Sequence, residues 1–179
     1  GALPEGSPLL KRSIALMEAY VEKHPPTYTN YMTIGSAYTA EAIFENNPAL
    51  FEKGRDSYDR ALELIPGRQD VLYSRAVNLL QSGMQREAVA LLEGVVSNDP
   101  SLPQNHYQLA QAYLVLKNPE YDKALIEIEF ALEHGVNMDA SFTRRAYQNM
   151  LMHYYKTKDV ERFKTALSRL ITLDSKQAA

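Results

Sequence analysis

The feature that most restricts this chain is a recurrence. The segments KGRDSYDRALELIP (53–66) and REAVALLEGVVSNDP (86–100) end on prolines 34 residues apart, Pro66 and Pro100. Each carries a small residue (Gly54, Ala88), a large one four later (Tyr58, Leu92), and then Ala61 or Val95 three beyond. A second motif recurs as YMTIGSAY (31–38), LYSRAVNL (72–79) and HYQLAQAY (106–113). It has a large residue, another residue three on, a small residue beside that, and a large residue three further. The small positions are Gly35, Ala76 and Ala110. A fourth copy, YQNMLMHY (147–154), keeps the large positions but has Leu151 where the small residue belongs. Two antiparallel helices pack closely only where one offers a small residue to a bulky neighbour. Gly35, Ala76 and Ala110 therefore read as holes, and Tyr58, Leu92 and Ile128 as knobs. One such pair cannot bury its apolar face alone, so successive pairs must stack.

The periodicity between these landmarks is helical. Leu10, Ile14, Met17 and Val21 form one apolar stripe at spacings of three and four. No alternating run is bounded by Asn-Gly or Asp-Gly turns, so strands are not expected. Breakers divide the signal. Asn47-Pro48 and Asn118-Pro119 read as an N-cap followed by proline at the first helical position. Pro66-Gly67 and Asp99-Pro100 read as stops, and Gly135 as a C-cap glycine. The spacing predicts nine helices, at about 8–24, 28–46, 48–65, 69–82, 85–98, 103–117, 119–134, 140–156 and 159–173. Connections of two to six residues favour antiparallel neighbours.

The stretch NHYQLAQAYLVLKNPEYDKALIEIEFAL carries the pattern most fully, through Leu109, Ala110, Tyr113, Ala124, Ile128 and Ala131. It resembles the tetratricopeptide repeat (TPR), a helix–turn–helix of about 34 residues. The resemblance covers about 28–173 and implies an all-α, right-handed TPR superhelix, an α-α solenoid of four helix pairs with an N-terminal capping helix. The implied division is a linker or terminal edge at 1–7, a capping helix at 8–27, and repeats at 28–66, 67–100, 101–136 and 137–179, the last including a C-terminal tail. The chain departs from the pattern in places. From Tyr38 to Gly54 is 16 residues, where the family has about nine, which predicts about one extra turn on each helix of the first pair. The third copy has an insertion at Asn118–Glu120, and the link HGVNMDASFTRR is longer than usual.

A second resemblance runs from ALELIPGRQD through LPQNHYQLAQAYL to ALEHGVN. It is similar to the soluble C-terminal TPR region of bacterial membrane proteins of the O-antigen ligase/polymerase type. That resemblance implies the extracytoplasmic, cell-envelope tail of a membrane-anchored parent, with GALPEGSP as its linker. Without it the compartment stays open between the cytoplasm and the extracytoplasmic face.

Composition narrows the function classes. The chain has 179 residues, 45% hydrophobic and 23% charged, which suits a globular core. A net charge of −3 does not argue for a nucleic-acid partner. Its distribution is uneven: residues 1–140 hold 11 Lys/Arg against 19 Asp/Glu, and residues 141–179 hold 8 against 3. The basic end reads either as a solvated helical face or as a contact for an acidic partner or lipid surface. No apolar run approaches the ~20 residues of a membrane span. With no cysteine, disulfides, thiolate metal sites and a Cys nucleophile are excluded.

No catalytic, metal or cofactor constellation emerges, and no enzyme is expected. His24 and His134 sit near helix C-termini, where an imidazolium suits the dipole. His106 takes a packing position, and His153 lies beside Tyr154 and Tyr155 with no acid at ligand spacing. Glu127, Glu129 and Glu133 read as a solvated charge cluster. No Walker A, GxGxxG, GxSxG or HExxH motif occurs. What remains is a surface. In TPR proteins the first helices line a groove that takes peptides or partner helices. The resemblance implies as groove positions the residue after the first large one and the fifth after it. These are Met32 and Ser36, Tyr73 and Val77, Tyr107 and Gln111, and Gln148 and Met152. The aromatic, methionine and amide mix suits an apolar or mixed-polarity protein or peptide partner. It does not match the Lys/Asn/Arg set by which some co-chaperone TPRs clamp a C-terminal carboxylate. The alternative makes these residues ordinary surface, or the seat of the chain's own N-terminal helix.

Overall fold

The structure, a computed structural model, describes the backbone of residues 6–137 and 139–177 and the side chains of 8–137 and 139–173. The described residues form nine α-helices and no strand: α1 Gly6–Lys23, α2 Tyr28–Glu45, α3 Pro48–Leu64, α4 Gln69–Gln81, α5 Gln85–Asn98, α6 Pro103–Val115, α7 Tyr121–Glu133, α8 Ala140–Thr157 and α9 Val160–Gln177. They fall into two compact units that divide between Asp99 and Pro100. Most of the expected leader at 1–7 lies outside the described residues, and its last two, Gly6 and Ser7, already belong to α1.

Local chemistry explains most boundaries. Thr27 and Asn30 form a capping box at the start of α2, each side chain accepting from the other's backbone N–H. Asn47 caps α3 by accepting from the Ala49 N–H at 3.2 Å, with Pro48 as the first helical residue. Gly135 ends α7 at φ +83°, with its N–H donating to Leu132 and that of Val136 to Ala131, a Schellman motif. Asn118-Pro119 does not start α7. That helix opens two residues later, because the Glu120 N–H donates to the Tyr113 carbonyl and buried Leu116 holds the connection down.

In the first unit α1 packs on α2, with Ile14 against Ile34 and Tyr38 and with Leu10, Met17 and Val21 around them, the stripe expected from spacing. α2 and α3 have 18 and 17 residues, against 13 and 14 for α4 and α5, so the extra turn lies in both helices of the first pair. They meet across two glycines. A methyl group on Gly35 would lie 2.8 Å from Cε1 of Tyr58 and 3.0 Å from the Gly54 carbonyl oxygen. One on Gly54 would lie 2.7 Å from the Asn78 amide nitrogen. Any side chain at either position would thus collide, and Tyr58 is the knob that fills the Gly35 hole. Asn78, from α4, is fully buried and donates to Thr39 Oγ1 at 2.7 Å and to the Phe51 carbonyl at 3.2 Å, pinning α4 to α2 and α3. Arg75, which replaces an apolar residue of the motif, faces Asp59 of α3 at 2.8 Å.

In the second unit α6 and α7 close on Ala110, Ala124, Ile128 and Ala131, all with no exposed surface. His106 lies in this packing, its ring 3.9 Å from that of Phe130. Its Nε2 donates to the Pro100 carbonyl at 2.9 Å and its Nδ1 faces Glu127 Oε2. Glu129, two residues on, faces the other way. It accepts from the Tyr147 hydroxyl of α8 at 2.6 Å and from Arg169 Nε of α9 at 2.7 Å. The reading of Glu127 and Glu129 as a solvated cluster is therefore corrected. The i/i+2 geometry turns each carboxylate onto a different helix, and only Glu133 stays exposed. Burial raises the Tyr147 phenol well above its ordinary range, and the Glu129 carboxylate raises it further.

Candidate partner-binding faces

The first helices of the two units carry the eight expected groove residues, four on each. In the first unit, α2 contributes Met32 and Ser36 and the adjoining α4 contributes Tyr73 and Val77. Met32 is half-buried against the Tyr58, Ala61 and Val71 cluster. Ser36 is exposed, but its hydroxyl is held 3.0 Å from the Met32 carbonyl and 3.1 Å from the Tyr58 hydroxyl, so it braces the knob. Tyr73 is half-buried, and that burial is the main reason its phenol is held above its usual range, with Asp99 adding to it. Val77 is 45% exposed.

In the second unit, α6 contributes Tyr107 and Gln111 and α8 contributes Gln148 and Met152. Tyr107 is only 8% exposed, edge-on to Phe142 of α8 with ring centroids 5.9 Å apart. The aromatic contact expected from it is largely taken up within the chain. Gln111 is half-buried, Gln148 is exposed, and Met152 is 59% exposed.

One regularity stands out. Ser36, Val77, Gln111 and Met152 occupy the same place in successive copies of the first-helix motif. Two of the four are large apolar side chains left in solvent. Sequence reasoning missed Asn78, although a signal existed. Asn78 falls where the neighbouring copies have Ala37 and Ala112, so a polar residue stands in a packing slot. Among the described residues, no three His, Asp or Glu side chains are placed to hold a metal ion. No described helix is long and apolar enough to cross a membrane.

No protein-family model matches the chain, and no curated protein matches it in sequence. Solved structures do match. A crystal structure of MamA aligns with a TM-score of 0.68 at 14% identity, covering 94% of this chain and 91% of that one. MamA 41-end from Desulfovibrio magneticus RS-1 aligns with a TM-score of 0.66 at 15% identity, covering 95% and 88%. A MamA RS-1 double mutant gives 0.65 at 15% identity, covering 94% and 86%. The fold is that of a TPR-type helical repeat protein. At such identities the shared feature is the packing of helix pairs, not the surface. The TPR motif positions here do what the motif requires: Gly35, Ala76 and Ala110 are buried holes, and Tyr58, Leu92 and Ile128 are buried knobs.

Proposed function

We propose that this chain is a protein-interaction module that takes a peptide or a partner helix on the first-helix faces of its repeats. The observation that carries this reading is the exposure of Val77 and Met152. A repeat position that served only packing would be buried in each copy. This one leaves an apolar side chain in solvent in both units, and in the second the exposed Gln148 amide, one turn before Met152 on α8, can hydrogen-bond a peptide backbone. The module acts by binding rather than by catalysis, and its ligand is of mixed polarity. A finer reading, as the accessory domain of an O-antigen ligase/polymerase-type membrane protein, gains nothing from the geometry, which any TPR module would share.

A peptide-display selection against the 179-residue chain supplies ligands for the test. Val77→Glu and Met152→Glu place charges at exposed sites and should leave thermal stability within about 0.5 kcal/mol. At least one of them should weaken a selected peptide by about tenfold or more. Equal affinity for both variants and the parent would remove the first-helix faces from the account. Leu16→Glu, on the exposed side of α1, is the control expected to have no effect.

A further inference from the structure

The second unit holds a further feature at the C-terminal end of α8. At the turn from α8 to α9 a cavity of about 250 Å³ opens to solvent, walled by Tyr154, Tyr155, Lys158, Asp159, Val160 and Phe163. Its wall is almost wholly apolar, yet Tyr155 is 73% and Val160 57% exposed. The volume is below that of sites for drug-sized ligands, and it suits one aliphatic or aromatic side chain.

Lys158 is the unusual member. It ends α8 in the left-handed conformation, at φ 60° and ψ 26°, with the hydrogen bonds of a Schellman motif behind it. The other positive-φ positions among the described residues are Asn46, Gly67, Gly83 and Gly135, the residue types that adopt this conformation readily. A lysine here sets a cation at the mouth of an apolar cavity at a conformational cost, and such costs gather at functional sites. Three of the nearby cations are engaged, while Lys156, like Lys158, makes no ion pair among the described residues. Arg162 lies against Asp159 and Asp122, Lys164 against Glu161, and Arg169 against Glu129. The Lys158 ammonium makes no ion pair among the described residues, in a stretch of chain (141–179) that carries 8 Lys/Arg against 3 Asp/Glu. Asp159, the one acid in the wall, is already paired with Arg162. Cavity and charge together call for a ligand that is apolar at one atom group and anionic beside it.

We propose that the α8–α9 turn is a docking site for an acidic peptide segment. One leucine-sized side chain enters the cavity and a neighbouring carboxylate reaches Lys158 Nζ. The site borders the first-helix face at Met152, which lies one turn before Tyr155 on α8, but Lys158→Asn probes it without altering that face, so either can fail without the other.

The test titrates the isotopically labelled full chain with acetyl-Glu-Leu-Glu-amide and follows amide shifts by NMR. Saturating shifts confined to residues 154–163 are expected. Acetyl-Glu-Gly-Glu-amide should bind about tenfold more weakly, for want of the apolar group. Lys158→Asn keeps a residue that tolerates the left-handed turn while removing the charge, so it stays folded and should weaken binding about three- to fivefold. Tyr155→Ser, a change at an exposed position, should weaken it as well. The proposal fails if no saturable shift appears at 154–163, or if Lys158→Asn and acetyl-Gln-Leu-Gln-amide each leave affinity unchanged. It also fails if these amides shift with protein concentration in the absence of peptide, since a second copy would then be the occupant.

Discussion

The hairpin α2–α3 and the hairpin α6–α7 follow one pattern and reach it by different means. The first removes the side chain on both sides of the contact, at Gly35 and Gly54, and uses the space for a tyrosine ring and the Asn78 amide. The other keeps Ala110 and Ala124, fills with Ile128, and satisfies its polar residue His106 through Glu127 and Pro100. What the repeat dictates is thus the distance between helices at one level. Which atoms occupy that level is open, provided hole and knob change together. The double-glycine hairpin holds a larger ring and a buried amide, and should tolerate added atoms least.

That difference can be broken directly. Gly35→Ala should cost about 2 kcal/mol by denaturant unfolding, since overpacking against Tyr58 and the Gly54 backbone outweighs the gain in helix propensity. Adding Tyr58→Leu should recover about half of that. Ala110→Gly in the other hairpin should cost about 1–2 kcal/mol, through helix propensity and the loss of a buried methyl group. A Gly35→Ala protein as stable as the parent would show that the two hairpins are not differently packed.

The next largest effect concerns the polar pin. Asn78→Ala should cost about 1–3 kcal/mol, because Thr39 Oγ1 and the Phe51 carbonyl lose a buried donor. Gly54→Ala should be much less damaging in that background, because the amide it strikes is gone. Strict additivity of the two changes would contradict the contact.

Alkaline pH separates the units again. Tyr38 in the first is pushed up to about 12, first by burial and then by the Glu18 carboxylate to which it donates. In the second, burial raises Tyr147 and Tyr154 further, with Glu129 and Asp122 adding to it. These groups are neutral in the fold and ionise near pH 10 when unfolded. Their contribution is complete below about pH 10 and is lost as pH rises through the folded values. The urea midpoint should therefore hold from neutrality to about pH 9.5 and fall above it. Tyr147→Phe should flatten that fall more than Tyr38→Phe. A midpoint insensitive to pH up to about 11.5 would refute the burial of these phenols.

The smallest effect lies at the helix ends. α7 ends on Gly135 and α8 on Lys158, both with positive φ. Lys158→Gly should raise stability by about 1 kcal/mol, seen as a higher melting temperature.

Much of the architecture was legible in the sequence because the recurrence fixes close-packed levels. The nine expected helices are present to within about two residues at most ends, and Gly35 and Tyr58 meet as hole and knob. The α7 start was not legible. Asn118-Pro119 has cap chemistry, but the Glu120–Tyr113 hydrogen bond that moves the start is non-local. The roles of Glu127 and Glu129 were also hidden, since residues two apart on a helix reveal their partners only when neighbouring helices are placed. The candidate face was legible by position but not by exposure. Tyr107 sits where the motif implies, and only Phe142, 35 residues later, shows that it is covered. The cavity at Lys158 left no sequence signal, because a left-handed lysine cannot be told from any other residue after a helix.

The central claim is that partners are held by the first helices. Amide hydrogen exchange of the full chain with and without a display-selected peptide tests it most directly. The account predicts slowed exchange on α2 and α4 around Ser36 and Val77, or on α6 and α8 around Gln111 and Met152. Protection restricted to the second helices α3, α5, α7 and α9, with the first helices unchanged, would contradict it.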